Sequence, residues 1–255
     1  MKLGFIGTGN IASAVIEGFC TADINDLVIY LSPRNEAQSK QLATQFAAVA
    51  RMASNQEVLN QADIIFIAVR PAIAEAVTRE LQFDKRHTVV SFVPFLKFET
   101  LADACRPAGA VCRAIPLPSA KAHQCPIPVF ASTPAITGLL KYIGQPLEVN
   151  DEYQLHTLWT LTGLITPFYD MLRGLSDWTV KKGVPPATAS AYVANLFHAL
   201  SYMAQQANPI NFEELSSHAA TPNGMNEQAG KEIRESGAHE EYVKAADRLM
   251  ERFKK

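Results

Sequence analysis

The sequence predicts an α/β protein, with a mostly parallel sheet in residues 1–150 and an all-helical second part in residues 151–255. Three observations carry that reading. Short apolar, β-rich runs alternate with helix-like segments through the first part, the pattern of parallel strands joined by crossover helices. The first of those runs breaks into Gly7-x-Gly9-x-x-Ala12. From Asp151 onward no convincing strand remains, and Gly, Pro and Asn break the chain into helices at 183–186, 208–209 and 222–224.

Lys2-Leu3-Gly4-Phe5-Ile6 is the opening strand. Gly7 allows a tight exit from it, Gly9 lets the backbone approach a phosphate with no Cβ in the way, and Ala12 permits close helix–sheet packing. This is the turn of a Rossmann-type dinucleotide site, in which Gly7, Thr8, Gly9, Asn10 and Ile11 meet the pyrophosphate at a helix N-terminus. The helix packs through Ile11, Val15, Ile16 and Phe19, and a second strand, Leu27 to Leu31, completes a right-handed βαβ unit. An NAD site usually has Asp or Glu at the end of this strand, but Ser32-Pro33-Arg34-Asn35 offers no acid before Glu36. Ser32 and Arg34 are donors suited to an adenosine 2′-phosphate, so the cofactor is expected to be NADP(H) rather than NAD(H). The alternative for Arg34 is a solvated residue that opens the next helix.

A helix over Glu36 to Phe46 and a short strand at Val49 to Met52 lead to Ser54-Asn55, an N-cap and helix start, with Asn55 placed among the cofactor residues. Ile64 to Val69 is nearly all apolar, as a central parallel strand covered on both faces should be, and Arg70-Pro71 ends it. Ligands of such sheets sit beyond the carboxyl ends of the strands, so Ala68, Val69, Arg70 and Pro71 border the cofactor. Arg70 is either a phosphate or ribose neighbour or an ordinary exposed arginine. Strands at Thr88 to Phe92 and Ala110 to Ala114 flank a short helix near Glu99 to Cys105, and Ile115-Pro116-Leu117-Pro118 fixes the path beyond the second. Pro128 to Ala131 and Leu147 to Val149 read as antiparallel additions at the sheet edge, with a helix near Ala135 to Tyr142 between them. In the second part, Tyr153 to Leu175 is apolar over most of its circumference and reads as one helix buried on several sides, which a small helical domain alone would struggle to supply. A homodimer burying this region is the natural expectation. The last helix, after Gly237, is amphipathic through Tyr242, Ala246, Leu249 and Phe253.

The 255 residues are 48% hydrophobic and 19% charged, with a formal net charge of −2. That charge provides no basic field for nucleic acid or an anionic membrane. No apolar run approaches the ~20 residues that span a bilayer, and the N-terminus runs straight into a strand, so the expected compartment is cytoplasmic. Cys20, Cys105, Cys112 and Cys125 lack C-x-x-C spacing and read as buried or half-buried reduced thiols. His123 and Cys125 lack a third and fourth ligand, so no metal is expected, and His218 reads as a surface histidine at a helix end.

Five ordered blocks carry a family likeness: Gly4 to Ala12, Ser32 to Asn35, Ala68-Val69-Arg70-Pro71, Arg113 to Ala120, and Ala220-Thr221-Pro222-Asn223-Gly224-Met225-Asn226. In these blocks the chain resembles the pyrroline-5-carboxylate reductases. The resemblance implies an NADP-dependent two-domain reductase, with an all-helical dimerisation and substrate domain over 151–255. In the homodimer the two helical domains interlock and complete one another's sites, and hydride passes to the carbon of a small cyclic imine. Three departures fall where the family holds its substrate. Leu117 stands between two prolines where members carry Asn, Thr162-Gly163-Leu164-Ile165-Thr166-Pro167 replaces Ser-Gly-Ser-Gly-Pro-Ala, and Pro222-Asn223-Gly224-Met225-Asn226 replaces Pro-Gly-Gly-Thr-Thr. The substrate-binding candidates are therefore Leu117, Leu164, Met225 and Thr221, and the catalytic candidates are Asn226 and Thr162. Tyr169 and Asp170 are further polar neighbours of the altered turn. Met225 has no hydrogen-bond donor, and Asn226 either orients an imine through its amide or caps a helix.

The expected function is NADPH-dependent reduction of a C=N bond in a small cyclic imine, on a changed substrate. Two alternatives remain: a reductase of a C=O substrate, and a dimeric NADP(H)-binding sensor or scaffold without catalysis. A β-hydroxyacid dehydrogenase is disfavoured, because 162–172 holds no lysine proton donor.

Overall fold

The computed structural model describes residues 1–253 and divides into two compact units after Trp159. The first unit is built on one eight-stranded sheet of order β3-β2-β1-β4-β5-β6-β7-β8. Its strands are β1 (Lys2–Ile6), β2 (Val28–Leu31), β3 (Val49–Arg51), β4 (Ile64–Ile67), β5 (Thr88–Ser91), β6 (Ala110–Ala114), β7 (Cys125–Phe130) and β8 (Gly144–Val149). β1 to β6 are parallel, and α1 (Asn10–Thr21), α2 (Glu36–Gln45), α3 (Asn55–Gln61), α4 (Pro71–Arg79) and α5 (Phe98–Ala104) connect them in turn. β7 runs antiparallel to β6. β8 pairs parallel with β7, because α6 (Pro134–Leu140) carries the chain back as a crossover rather than a hairpin. The edge pair is thus antiparallel to the rest of the sheet but parallel within itself.

Both faces of the sheet are covered, which explains the unbroken apolar runs. Along β4 the side chains alternate: Phe66 joins Phe5, Phe19 and Phe92 on one face, while Ile65 and Ile67 join Val89 and Leu101 on the other. The strand order reverses between β1 and β4, and their carboxyl ends lie side by side. Gly7 has φ +103°, and a Cβ there would lie 2.6 Å from the Ala68 carbonyl oxygen, so only glycine fits this exit.

The helices beyond the sheet are α7 (Glu152–Thr160), α8 (Ile165–Lys181), α9 (Pro186–Gln206), α10 (Phe212–Ala219), α11 (Met225–Glu235) and α12 (Ala238–Met250). The first compact unit takes in α7 as far as Trp159, because α7 is held to the sheet: Glu152 pairs with Arg113 and accepts from the Phe98 N–H. The single helix expected over Tyr153 to Leu175 is interrupted by a 3₁₀ turn at Leu161–Leu164. Gly163 lies in that turn close to α12, where a Cβ would sit 2.5 Å from Leu249 Cδ1. The burial expected of this segment is not supplied within the chain, since Leu161, Ile165, Phe168 and Leu175 are 40–53% exposed. Among the described residues, no helix is long and apolar enough to cross a membrane.

Candidate cofactor and active site

Three hydrogen bonds fasten the glycine turn to the β2–α2 connection. The Gly7 N–H donates to Ser32 Oγ (2.9 Å), the Thr8 hydroxyl donates to the Arg34 carbonyl (2.8 Å), and Asn35 Nδ2 donates to the Thr8 carbonyl (2.9 Å). Asn35 adopts φ +53°, a left-handed conformation that asparagine tolerates better than most residues. Thr8 and Ser32 are buried, and of the two expected 2′-phosphate donors Arg34 alone is exposed. Ser32 holds the turn instead of facing solvent. Arg51, which the motif search missed, supports the same connection from β3, where its guanidinium donates to the Pro33 carbonyl (3.1 Å) and Ser39 Oγ (3.0 Å). Glu36, the first acid after the connection, is paired with Lys40 at 2.7 Å; that hydrogen bond, with the charges of Lys40 and Arg51, holds its carboxyl below the usual range.

Beyond the turn, α1 begins at Gly9 with no side-chain cap and no acid in its first turn. The N–H groups at the start of the helix have no intrahelical acceptor and sit at its positive end. They open onto a cleft of about 240 Å³ lined by the 9–12 turn, Ala68-Val69-Arg70 after β4, and Phe92 and Pro94 after β5. A Cβ on Gly9 would meet nothing within 4 Å. An uncapped helix start, open space at Gly9 and an exposed Arg70 at the mouth together fit a dinucleotide pyrophosphate. The cleft therefore gathers Gly9, Asn10, Ile11, Ala68, Val69 and Arg70, while Gly7, Thr8 and Ser32 stand behind it as supports. Asn55 is the half-buried first residue of α3, and Pro71 the exposed first residue of α4. The motif search missed Phe92 and Pro94. The strand order could have found them, since β5 neighbours β4 at the switch point.

The substrate candidates are divided between the two units, Leu117 in the first and the others in the second. Leu117 packs partly buried against the apolar core, and its N–H donates to Cys125 Sγ (3.0 Å), so core packing occupies its side chain. Thr162 and Leu164 are half-buried in the 3₁₀ turn. Thr221 is exposed and its carbonyl accepts from the Gly224 N–H, Met225 is 87% exposed, and Asn226 donates through Nδ2 to the Ala219 carbonyl at 3.0 Å. Among the described residues no hydrogen bond joins the 3₁₀ turn to the 221–226 segment. The thiols are chemically quiet, with burial pushing Cys20 up to about 11 and Cys105 and Cys112 up to about 12. His123 holds the end of α1, its Nε2 lying 3.1 Å from the Gly18 carbonyl and 3.0 Å from Thr21 Oγ1.

A second polar centre gathers around Arg113, which the sequence motifs contain only as the first residue of the Arg113 to Ala120 block. Arg113 on β6 is 1% exposed, pairs with Glu152, and donates to the Val93 carbonyl at 2.9 Å. His156 lies 3.4 Å from its guanidinium, and the Trp159 ring centroid is 5.8 Å from Cζ.

Two family models match the chain. Residues 2–94 match the family described as NADP oxidoreductase, coenzyme F420-dependent, and residues 152–255 match pyrroline-5-carboxylate reductase dimerisation. A pyrroline-5-carboxylate reductase of Pseudomonas aeruginosa is 25% identical over 249 residues, covering 92% of this chain and 89% of its own. Over nearly its whole length the chain is similar to the pyrroline-5-carboxylate reductases. The class it is similar to is that of NADP-dependent oxidoreductases acting on CH–NH bonds. Its fold agrees with solved members. The Coxiella burnetii pyrroline-5-carboxylate reductase superposes with a TM-score of 0.86 at 20% identity, covering 99% of this chain and 97% of that one. The Plasmodium falciparum pyrroline carboxylate reductase, solved with NADP bound, gives a TM-score of 0.82 at 18% identity over 100% and 97%.

Proposed function

We propose that the protein reduces the C=N bond of a small cyclic imine with NADPH, and that its substrate differs from pyrroline-5-carboxylate. The observation that carries this reading is an intact cofactor cleft in a chain whose substrate block is rewritten, with Met225 87% exposed and without a donor to offer a ring nitrogen. The first-turn N–H groups of α1 hold the pyrophosphate, Arg34 holds the 2′-phosphate, and Arg70 lies at the mouth. NADPH supplies the hydride when bound. Phe92, Pro94 and Val69 form the apolar wall that excludes water beside it. Asn226 has its Nδ2 tied to Ala219, which leaves Oδ1 to accept from a protonated ring nitrogen and orient it, and the Thr162 hydroxyl is the second candidate for that contact. The active form is a cytoplasmic homodimer joined through the helical unit.

The test follows NADPH absorbance against pyrroline-5-carboxylate, larger cyclic imines, amine–ketone mixtures and 2-keto acids. Turnover of a cyclic imine well above that of pyrroline-5-carboxylate is the expected result, and preference for pyrroline-5-carboxylate itself would reject the changed substrate. Preference for a 2-keto acid would move the reaction to C=O. A second reading, an NADP(H)-binding sensor without catalysis, is favoured by the absence of a donor at Met225 and the engagement of the Asn226 amide. Tight NADPH binding with no turnover of any compound would select it.

A further inference from the structure

Arg113 is the largest fully buried side chain of the described residues, and the reaction proposed above does not use it. Its contacts lead to one stretch of chain, the β5–α5 connection, directly through Val93 and indirectly through Glu152 and Trp159 of α7. The guanidinium donates to the Val93 carbonyl at 2.9 Å. Its partner Glu152 accepts from the Phe98 N–H at 3.0 Å, at the first residue of α5. Between these two anchors Phe95 adopts φ +62° and stacks on Trp159, with ring centroids 6.3 Å apart, while Trp159 also lies against the Arg113 guanidinium. Phe92 and Pro94, at the start of the same connection, form a wall of the cleft.

A buried ion pair is a poor device for stability alone, because apolar side chains of similar volume usually do as well. This pair also satisfies two backbone groups that a left-handed residue separates, and neither member of it lines the cleft. We propose that the Arg113–Glu152 pair, its arginine buried and its glutamate half-buried, is the positioning device of the cofactor cleft, fixing the Val93–Phe98 connection so that Phe92 and Pro94 stand at a set distance from the glycine turn. Arg113 is a positioning residue and touches no ligand. One arm of the test rests on the cleft being the NADPH site.

The decisive variant replaces both charges at once, Arg113→Met with Glu152→Leu, which leaves no buried charge unpaired. Hydrogen exchange of the free protein is expected to quicken tenfold or more in residues 92–98, with the other β-strand amides and the melting midpoint close to wild type. The Kd for NADPH, read by the cofactor's own fluorescence, is expected to rise about tenfold. Unchanged protection at 92–98, or loss of protection spread evenly over the sheet, would overturn the proposal. Should the double variant fail to fold, Arg113→Lys keeps the charge facing Glu152 but cannot serve both partners, and it should quicken exchange in the same residues. In the wild type, the Phe98 amide should be protected to the level of β5; exchange at the rate of an exposed loop would also overturn the proposal. If the wild type binds no NADPH, the functional reading fails while the exchange arm still decides this one.

Discussion

Ser32 and Arg34 sit two residues apart and meet different needs. The first spends its hydroxyl on the Gly7 N–H from a buried position, and the second turns its guanidinium to solvent. In the proposed function, cofactor choice rests on Arg34. A hydrogen bond to a charged group contributes about 1.5–3 kcal/mol, so Arg34→Ala is expected to lower the preference for NADPH over NADH by roughly ten- to a hundredfold. The ratio of the two Michaelis constants measures this, and an unchanged ratio returns Arg34 to the role of a solvated helix opener. His156 gives a pH signature. Burial first, then the Arg113 charge, holds its imidazole below the ordinary value of 6.5. The unfolded chain binds that proton more readily than the folded one, so stability falls as pH drops from 6.5 through the folded value, and the loss is complete below it. Thermal melts across about pH 5–7 should show this slope in wild type and a shallower one in His156→Gln; equal slopes would remove His156 from the account.

Element ends, rather than element interiors, carry the function here. α1 begins without a side-chain cap, which in the proposed function keeps its first N–H groups for the pyrophosphate, whereas α3 begins with a cap that uses its own. Ser54 Oγ accepts from the Glu57 N–H at 3.1 Å, and the Glu57 carboxylate accepts in return from the Ala53 N–H at 2.9 Å. This reciprocal arrangement is readable in the sequence, and Ser54→Ala is expected to destabilise the protein by about 1 kcal/mol in denaturant titrations. The same substitution should leave NADPH binding near wild type, because α3 starts beyond the residues that line the cleft. The 3₁₀ interruption at Leu161–Leu164 was not readable, because apolar residues on either side of Thr162-Gly163 continue the helical period through it.

At the scale of the whole molecule, the two units differ in how they hide apolar surface. The sheet unit covers both faces of its sheet, whereas beyond Trp159 the buried residues among those described are Thr160, Ala189 and Val193. Trp178, Tyr192 and Phe212 are 59–73% exposed in the single chain, far more aromatic surface than a lone helical unit retains in water. Sedimentation equilibrium at micromolar concentration is expected to give a dimer, and Trp178→Glu with Tyr192→Glu to shift it toward monomer; a wild-type monomer would reject the dimer. The sequence by itself determined the strand–helix alternation, the glycine turn and the absence of an acid after β2, because periodicity and turn chemistry act over a few neighbouring residues. Tertiary structure decided that Ser32 faces inward, that Leu117 belongs to the core, and that Arg113 and Glu152 grip the β5–α5 connection. The Ser32, Arg113 and Glu152 contacts join residues 20 to 54 positions apart, and the crossover geometry of a parallel sheet brings such partners together.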